Sequence, residues 1–193
     1  MRAADNPFTV QKVRRIRYRL SGLTWEELLE RLAALDHRAA LVGPHGHGKT
    51  TLLEDLAPHL ESRGFRIRSV MLHTGDRWLT REQRRALFLD LDPRDLLCVD
   101  GAEQLGRWAW WELKLRSRAA GGLLITSHRP GLLPTLLECS TSPELLAGIA
   151  RDLLGREVEA PEELFERHDG NVREALRELY DVWAGRVGAP TWT

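Results

Sequence analysis

Three polar clusters, each at the end of an apolar run, hold the residues of this chain that could do chemistry together. The first is Gly43-Pro44-His45-Gly46-His47-Gly48-Lys49-Thr50, which follows Ala39-Ala40-Leu41-Val42 and opens a segment with leucines at 52, 53, 56 and 60. A glycine-rich turn between a buried strand and a helix aims successive amides inward. The helix start adds partial positive charge, so the loop suits a chain of phosphates. In that setting Lys49 offers a cation to the outer phosphates and the Thr50 hydroxyl a ligand for Mg²⁺. The second cluster is Asp100, delivered by Leu96-Leu97-Cys98-Val99, with Glu103 three residues on. A carboxylate at a strand's C-terminal end sits where an open α/β sheet binds its ligands. The third is Thr126-Ser127-His128, which ends the apolar run Gly122 to Ile125.

The first cluster matches G-x-x-x-x-G-K-[ST] in the required strand-to-helix setting and resembles the Walker A loop of P-loop nucleoside triphosphatases. The resemblance implies ATP as the ligand of Gly43, Pro44, His45, Gly46, His47, Gly48, Lys49 and Thr50, with Thr51 on the α phosphate. His45 and His47 fall at variable positions of the pattern, and zinc would need further ligands that the sequence does not supply there. Leu96 to Asp100 looks like a Walker B strand, which implies that Thr50 and Asp100 hold Mg²⁺, Asp100 through water. Many ATPases of this group place a glutamate directly after that aspartate to polarise the attacking water. Here Gly101 stands in its place. Glu103 is the candidate base if Gly101-Ala102 turns back; otherwise it is an acid favoured by the dipole of a helix start.

One more strand after the Asp-bearing one suits the additional-strand ATPases, in which it lies between the Walker A and Walker B strands and offers a polar residue to the γ phosphate. Thr126 or Ser127 is then that residue, the other reading being an ordinary polar strand end. Asp169-Gly170-Asn171-Val172-Arg173 is similar to a helix start in the C-terminal lid of AAA+ ATPases. That similarity implies that Arg173 approaches the γ phosphate, although pairing with Glu174 or Asp169 explains the residue equally well. Lys49, Glu103, Thr126, Ser127 and Arg173 thus form the candidate catalytic set. An arginine finger acting in trans has three candidates, Arg116, Arg118 and Arg129.

Positioning these groups requires a parallel sheet. Thr24-Trp25-Glu26-Glu27 forms a capping box, which predicts a helix over about 25–35. Residues 39–42, 65–72, 96–100, 122–126 and 135–139 read as strands, with helical segments at 80–89 and 103–118 between them. Pro58 predicts a kink or an early stop in the helix after the loop. From Ser142 the pattern is helical: Ser142 caps, Pro143 starts, a short helix follows at 161–168, and Asn171 caps a last helix with Val172, Leu176, Leu179 and Trp183 on one face. The expected fold is α/β: a three-layer P-loop NTPase with a mainly parallel five-stranded sheet and a small C-terminal helical lid. Its expected divisions are an N-terminal arm and helix (1–37), the core (38–140) and the lid with its tail (141–193).

The chain has 193 residues with 28 basic and 28 acidic side chains, so no global field draws it to nucleic acid or an anionic membrane. No apolar run reaches the roughly 18 residues of a membrane span, and the N-terminus lacks a leader's apolar stretch, which makes the cytoplasm the expected location. Cys98 and Cys139 lie in apolar surroundings, so neither a disulfide framework nor a four-ligand zinc site is expected. The run Lys12 to Arg19 alternates as an extended arm would. It reads as a solvated edge strand or as a phosphate-contacting arm in which Tyr18 stacks on a base. Trp108 and Trp111 share a face with Leu105 and Leu115 and are expected in the core, with Trp110 turned toward a partner.

No lysine stands in the context by which a GTPase reads guanine, and Leu20-Ser21-Gly22-Leu23 is not a transporter ATPase signature. The expected activity is therefore Mg-dependent ATP hydrolysis, slow or triggered by a partner, that drives a conformational switch. The alternatives are a small-molecule or nucleotide kinase and an ATP-responsive binding module, the latter acting on nucleic acid through the arm. A protein partner and an oligomer remain open.

Overall fold

The computed structural model describes residues 6–13, 15–155, 158 and 160–185; Arg14 of the arm and residues 186–193 of the tail lie outside the described residues. In chain order the elements are α1 (Val10–Val13), α2 (Trp25–Ala34), β1 (Arg38–Val42), α3 (Lys49–Glu61), β2 (Arg66–Met71), α4 (Arg81–Phe88) and β3 (Asp95–Asp100). There follow α5 (Arg107–Arg116), β4 (Gly122–Ser127), β5 (Thr135–Glu138), α6 (Pro143–Leu154), α7 (Pro161–Arg167) and α8 (Val172–Trp183). The chain divides into two compact units. The larger comprises Tyr18–Gly43 and Lys49–Cys139, the smaller Met1–Arg17, Pro44–Gly48 and Ser140–Thr193.

The larger unit is a five-stranded sheet in the order β2-β3-β4-β1-β5, with every pairing parallel. Because successive strand residues face opposite ways, each strand feeds two cores. Leu41, Leu96, Cys98 and Leu124 pack with Leu28, Leu32, Leu52 and Leu56 of α2 and α3. Val42, Leu97, Val99 and Ile125 pack with Leu87 and Leu113 of α4 and α5. With both faces covered, the inner strands β3 and β4 are apolar nearly throughout, which is why they read as continuous hydrophobic runs. The capping box at Thr24 forms as the sequence implies, and a second one, Thr80 with Gln83, starts α4.

Three expectations are corrected here. Of the two outcomes expected at Pro58, a kink or an early stop, the stop is overturned: helix α3 continues through Pro58 to Glu61, with Leu56 and Leu60 both buried so that their packing offsets the missing amide. The run 103–118 is a 3-10 turn at Ala102–Gln104, then α5, then a second 3-10 turn at Ser117–Ala119. On α5 the tryptophans are reversed: Trp110 packs against the core, while Trp108 and Trp111 are exposed. Residue 109 and residue 113, not 108 and 111, carry the buried stripe.

In the smaller unit α6, α7 and α8 bury Leu146, Ala150, Leu164, Ala175, Leu176 and Leu179 together with Phe8. Asn171 caps α8 and Ser142 caps α6, as their positions predict. The segment before residue 17 is not an extended strand: it holds the single-turn α1, and Asn6 bonds through Nδ2 to the Tyr180 carbonyl at 2.9 Å. In the larger unit the Tyr18 amide donates to Asp55 at 2.6 Å, and its ring packs against the α2/α3 core. Burial pushes the Tyr18 hydroxyl well above the ordinary phenol range, with a contact to Cys139 adding to the shift. A ring held in this way is not a base-stacking platform.

Candidate functional site

Within the larger unit the site assembles at the C-terminal ends of β1, β3 and β4. Asp100, last residue of β3, is held by two hydroxyls: Thr50 Oγ1 donates to Oδ2 at 2.8 Å and Thr126 Oγ1 to Oδ1 at 2.5 Å. Thr126 is itself fixed by the Gly101 amide, which donates to its Oγ1 at 2.8 Å. Parallel pairing explains the meeting of these residues. β4 lies between β1 and β3, so its last turn stands beside both the start of α3 and the Asp100 carboxylate.

Lys49 is only 8% exposed, and its Nζ donates to the Gly43 carbonyl at 2.6 Å. A Cβ at Gly43 would lie 2.5 Å from the Cys139 carbonyl oxygen, so the chain can leave β1 beside β5 only with glycine there.

The geometry also explains why no glutamate follows Asp100. Gly101 has φ +81°, and a Cβ there would meet the Leu72 carbonyl oxygen at 2.8 Å. Glu103 lies in the 3-10 turn Ala102–Gln104 that follows Gly101. Its Oε1 lies 3.1 Å from His128 Nδ1, and its Oε2 is buried with no hydrogen-bond partner among the described residues. The pairing with His128 was not legible in the sequence, because it depends on the direction of that turn. Ser127 is engaged elsewhere: its Oγ donates to the Arg129 carbonyl at 2.8 Å and accepts from the Arg129 amide at 3.3 Å. Thr51 is half-buried in the first turn of α3.

The smaller unit holds Pro44, His45, Gly46, His47 and Gly48. Gly46 and Gly48 have φ of +76° and +78°, the left-handed conformation that glycine adopts at no steric cost. A Cβ at Gly46 would come within 1.8 Å of Asn171 Oδ1, the atom that caps α8 by accepting from the Glu174 amide at 3.2 Å. Thr141 Oγ1 donates to the Gly170 carbonyl at 2.7 Å and lies 3.4 Å from His47 Nδ1. Nothing in the sequence singled out Thr141. Arg173 is exposed in the first turn of α8, and Glu174 pairs with Arg177 at 3.7 Å.

A surface depression of about 600 Å³ lies on β2 and α4, lined by Arg66, Arg68, Glu82, Arg85, Ala86, Leu89 and Asp90. Two of its arginines are already committed: Arg66 to Asp92 and Asp95, Arg68 to Asp95 and the Asp90 carbonyl. The Asp100 cluster lies at the other end of the strands.

No protein-family model and no curated protein matches the chain. Among solved structures it is similar to a RuvB variant of Thermotoga maritima, with 25% identity and a TM-score of 0.59 over 82% of this chain and 60% of that one. It is also similar to Cdc6p of Pyrobaculum aerophilum, with 16% identity and a TM-score of 0.59 over 94% of this chain and 66% of that one. A DNA replication initiation factor follows at 18% identity and a TM-score of 0.55, over 82% and 59% of the two chains. The chain therefore spans about 60% of the length of the structures it resembles. By its strand order, with β4 inserted between β1 and β3, and by these AAA+ neighbours, the chain has the fold of the additional-strand, AAA+-like group of P-loop nucleoside triphosphatases.

Proposed function

We propose that the chain binds Mg·ATP through the Gly43–Thr51 segment and hydrolyses it, slowly or when a partner completes the site, with the nucleotide state biasing a conformational switch. The observation that carries this reading is the Thr50–Asp100–Thr126 arrangement, in which both oxygens of one carboxylate are held by hydroxyls. An all-oxygen donor set fits a hard divalent cation such as Mg²⁺, with Thr50 and Asp100 as the residues that hold it. A bound Mg²⁺ would supply charge neutralisation at the phosphates.

The protein's own groups divide the remaining work. Lys49 binds and orients the outer phosphates, and Thr126 orients Asp100 and senses the terminal phosphate. Glu103, whose Oε2 is buried without a hydrogen-bond partner among the described residues, is proposed as the base that takes a proton from water. Its other oxygen faces His128, which supports slow turnover in the absence of a partner. Ser127 and Arg173 are proposed as further contacts to the terminal phosphate, the segment 141–193 as the lid, and the cytoplasm as the location. Among the described residues, no helix is long and apolar enough to cross a membrane.

Phosphate release from Mg·ATP without an acceptor tests the proposal. Turnover should vanish in Lys49→Ala. Glu103→Gln should retain ATP binding while turnover falls by about 10² to 10⁴. Unchanged turnover in Glu103→Gln removes that residue from the mechanism, and faster transfer to an added acceptor than to water overturns hydrolysis in favour of a kinase.

A further inference from the structure

Helix α5 presents to solvent a face that the ATP site does not use. Trp108 is 73% exposed, Trp111 59% and Leu115 45%, although buried placement is the usual fate of such side chains. At 3.6 residues per turn, Trp108 and Leu115 lie along one margin of this face, Trp111 runs down its middle, and the exposed Arg107 and Lys114 lie along the other; the exposed Arg118 follows α5 in the 3-10 turn Ser117–Ala119. Trp78, 57% exposed, follows Arg77, whose carbonyl accepts from the Gly106 amide that precedes α5. Glu112 is the sole acidic residue between Glu103 and Glu138, and it is committed to Arg84 and Arg116. Arg116 also lies over the Phe88 ring, with its guanidinium carbon 5.2 Å from the centroid. The outward face thus combines flat indoles with cations and carries no carboxylate.

We propose that this face of α5 binds single-stranded nucleic acid, with Trp108 and Trp111 stacking on bases and Arg107, Lys114 and Arg118 meeting phosphates. Charge and shape together select this occupant. A second copy docking by the same face would bring like charges together. A duplex hides its base faces from the indoles. An unpaired strand offers both a polyanion and exposed π-faces, and stacking on aromatic side chains is tolerant of sequence because every base has such a face. The proposal does not depend on hydrolysis at the ATP site.

The test is the fluorescence anisotropy of a labelled oligodeoxythymidine of about 20 nucleotides with the full chain, without added nucleotide, at two salt concentrations. Three phosphate contacts predict an affinity loss of roughly 20-fold between 50 and 200 mM salt. Replacing Trp108→Ala and Trp111→Ala together should weaken binding about tenfold or more. Both residues are exposed, and a thermal melt matching the parent confirms the fold of the variant. Trp108→Phe with Trp111→Phe keeps the stacking faces and should retain most of the affinity. No binding at low salt overturns the proposal, and so does binding that survives the double alanine replacement. Equal displacement by a duplex or by polyglutamate overturns it as well: the first points to backbone charge alone, the second to an acidic protein partner.

Discussion

At the scale of single residues, Asp95 shows how a buried charge becomes a pH-dependent contribution. It begins β3 with 0% exposure, and its carboxylate accepts from Arg66, Arg68 and the Asp92 amide. Burial by itself raises the carboxyl, but the Arg68 bond, the Asp92 amide and Arg66 outweigh it and hold the group below the ordinary aspartate range. A depressed folded value contributes stability that is complete above the unfolded value of about 3.9 and is lost as pH falls through the folded one. Asp95→Asn should therefore cost about 2 kcal/mol at neutral pH. In urea melts at a series of pH values, the gap to the parent should stay constant from pH 7 to about 5 and close below about 4. The spacing of Asp95, Arg66 and Arg68 in the sequence hinted at none of this, because β2 and β3 meet only through the parallel register that sets Arg66 beside Asp95.

At the scale of elements, chain punctuation decides where helices start, and one such start carries a second duty. Asn171 caps α8, and its Oδ1 also fills the space that a side chain at Gly46 would need. Asn171→Ala should cost about 1 kcal/mol through the lost cap. Gly46→Ala should destabilise more, from the 1.8 Å approach to Asn171 and from its φ of +76°. The double variant should cost less than the sum of the two, because removing the amide group relieves the clash; strict additivity in urea melts would show that the two positions do not couple. Asn171 as a cap was legible from Asp169-Gly170-Asn171 in the sequence, whereas its approach to Gly46 was not, since the two residues lie more than a hundred positions apart.

At the scale of the whole molecule, a ligand that binds only the folded state stabilises by mass action. At about 100 times its dissociation constant, Mg·ATP should add about 2.7 kcal/mol, a rise of roughly 5 to 10 °C in Tm for a chain of this size. Lys49→Ala should abolish that rise in a thermal melt, and an equal rise in both proteins would place the nucleotide elsewhere. What the sequence determined by itself was local: apolar runs that make strands, caps at Thr24, Ser142 and Asn171, and a glycine-rich loop ahead of Lys49 and Thr50. Each of these depends on neighbours within a turn or two, or on a two-residue alternation, so a single chain can be read for them. The tertiary structure decided the rest. Only packing shows that Trp110 turns inward and Trp108 and Trp111 outward, because a helix face is buried by what lies over it and not by its composition. Likewise only the insertion of β4 between β1 and β3 sets Thr126 against Asp100, and only the crowding of the Leu72 carbonyl makes glycine necessary at position 101.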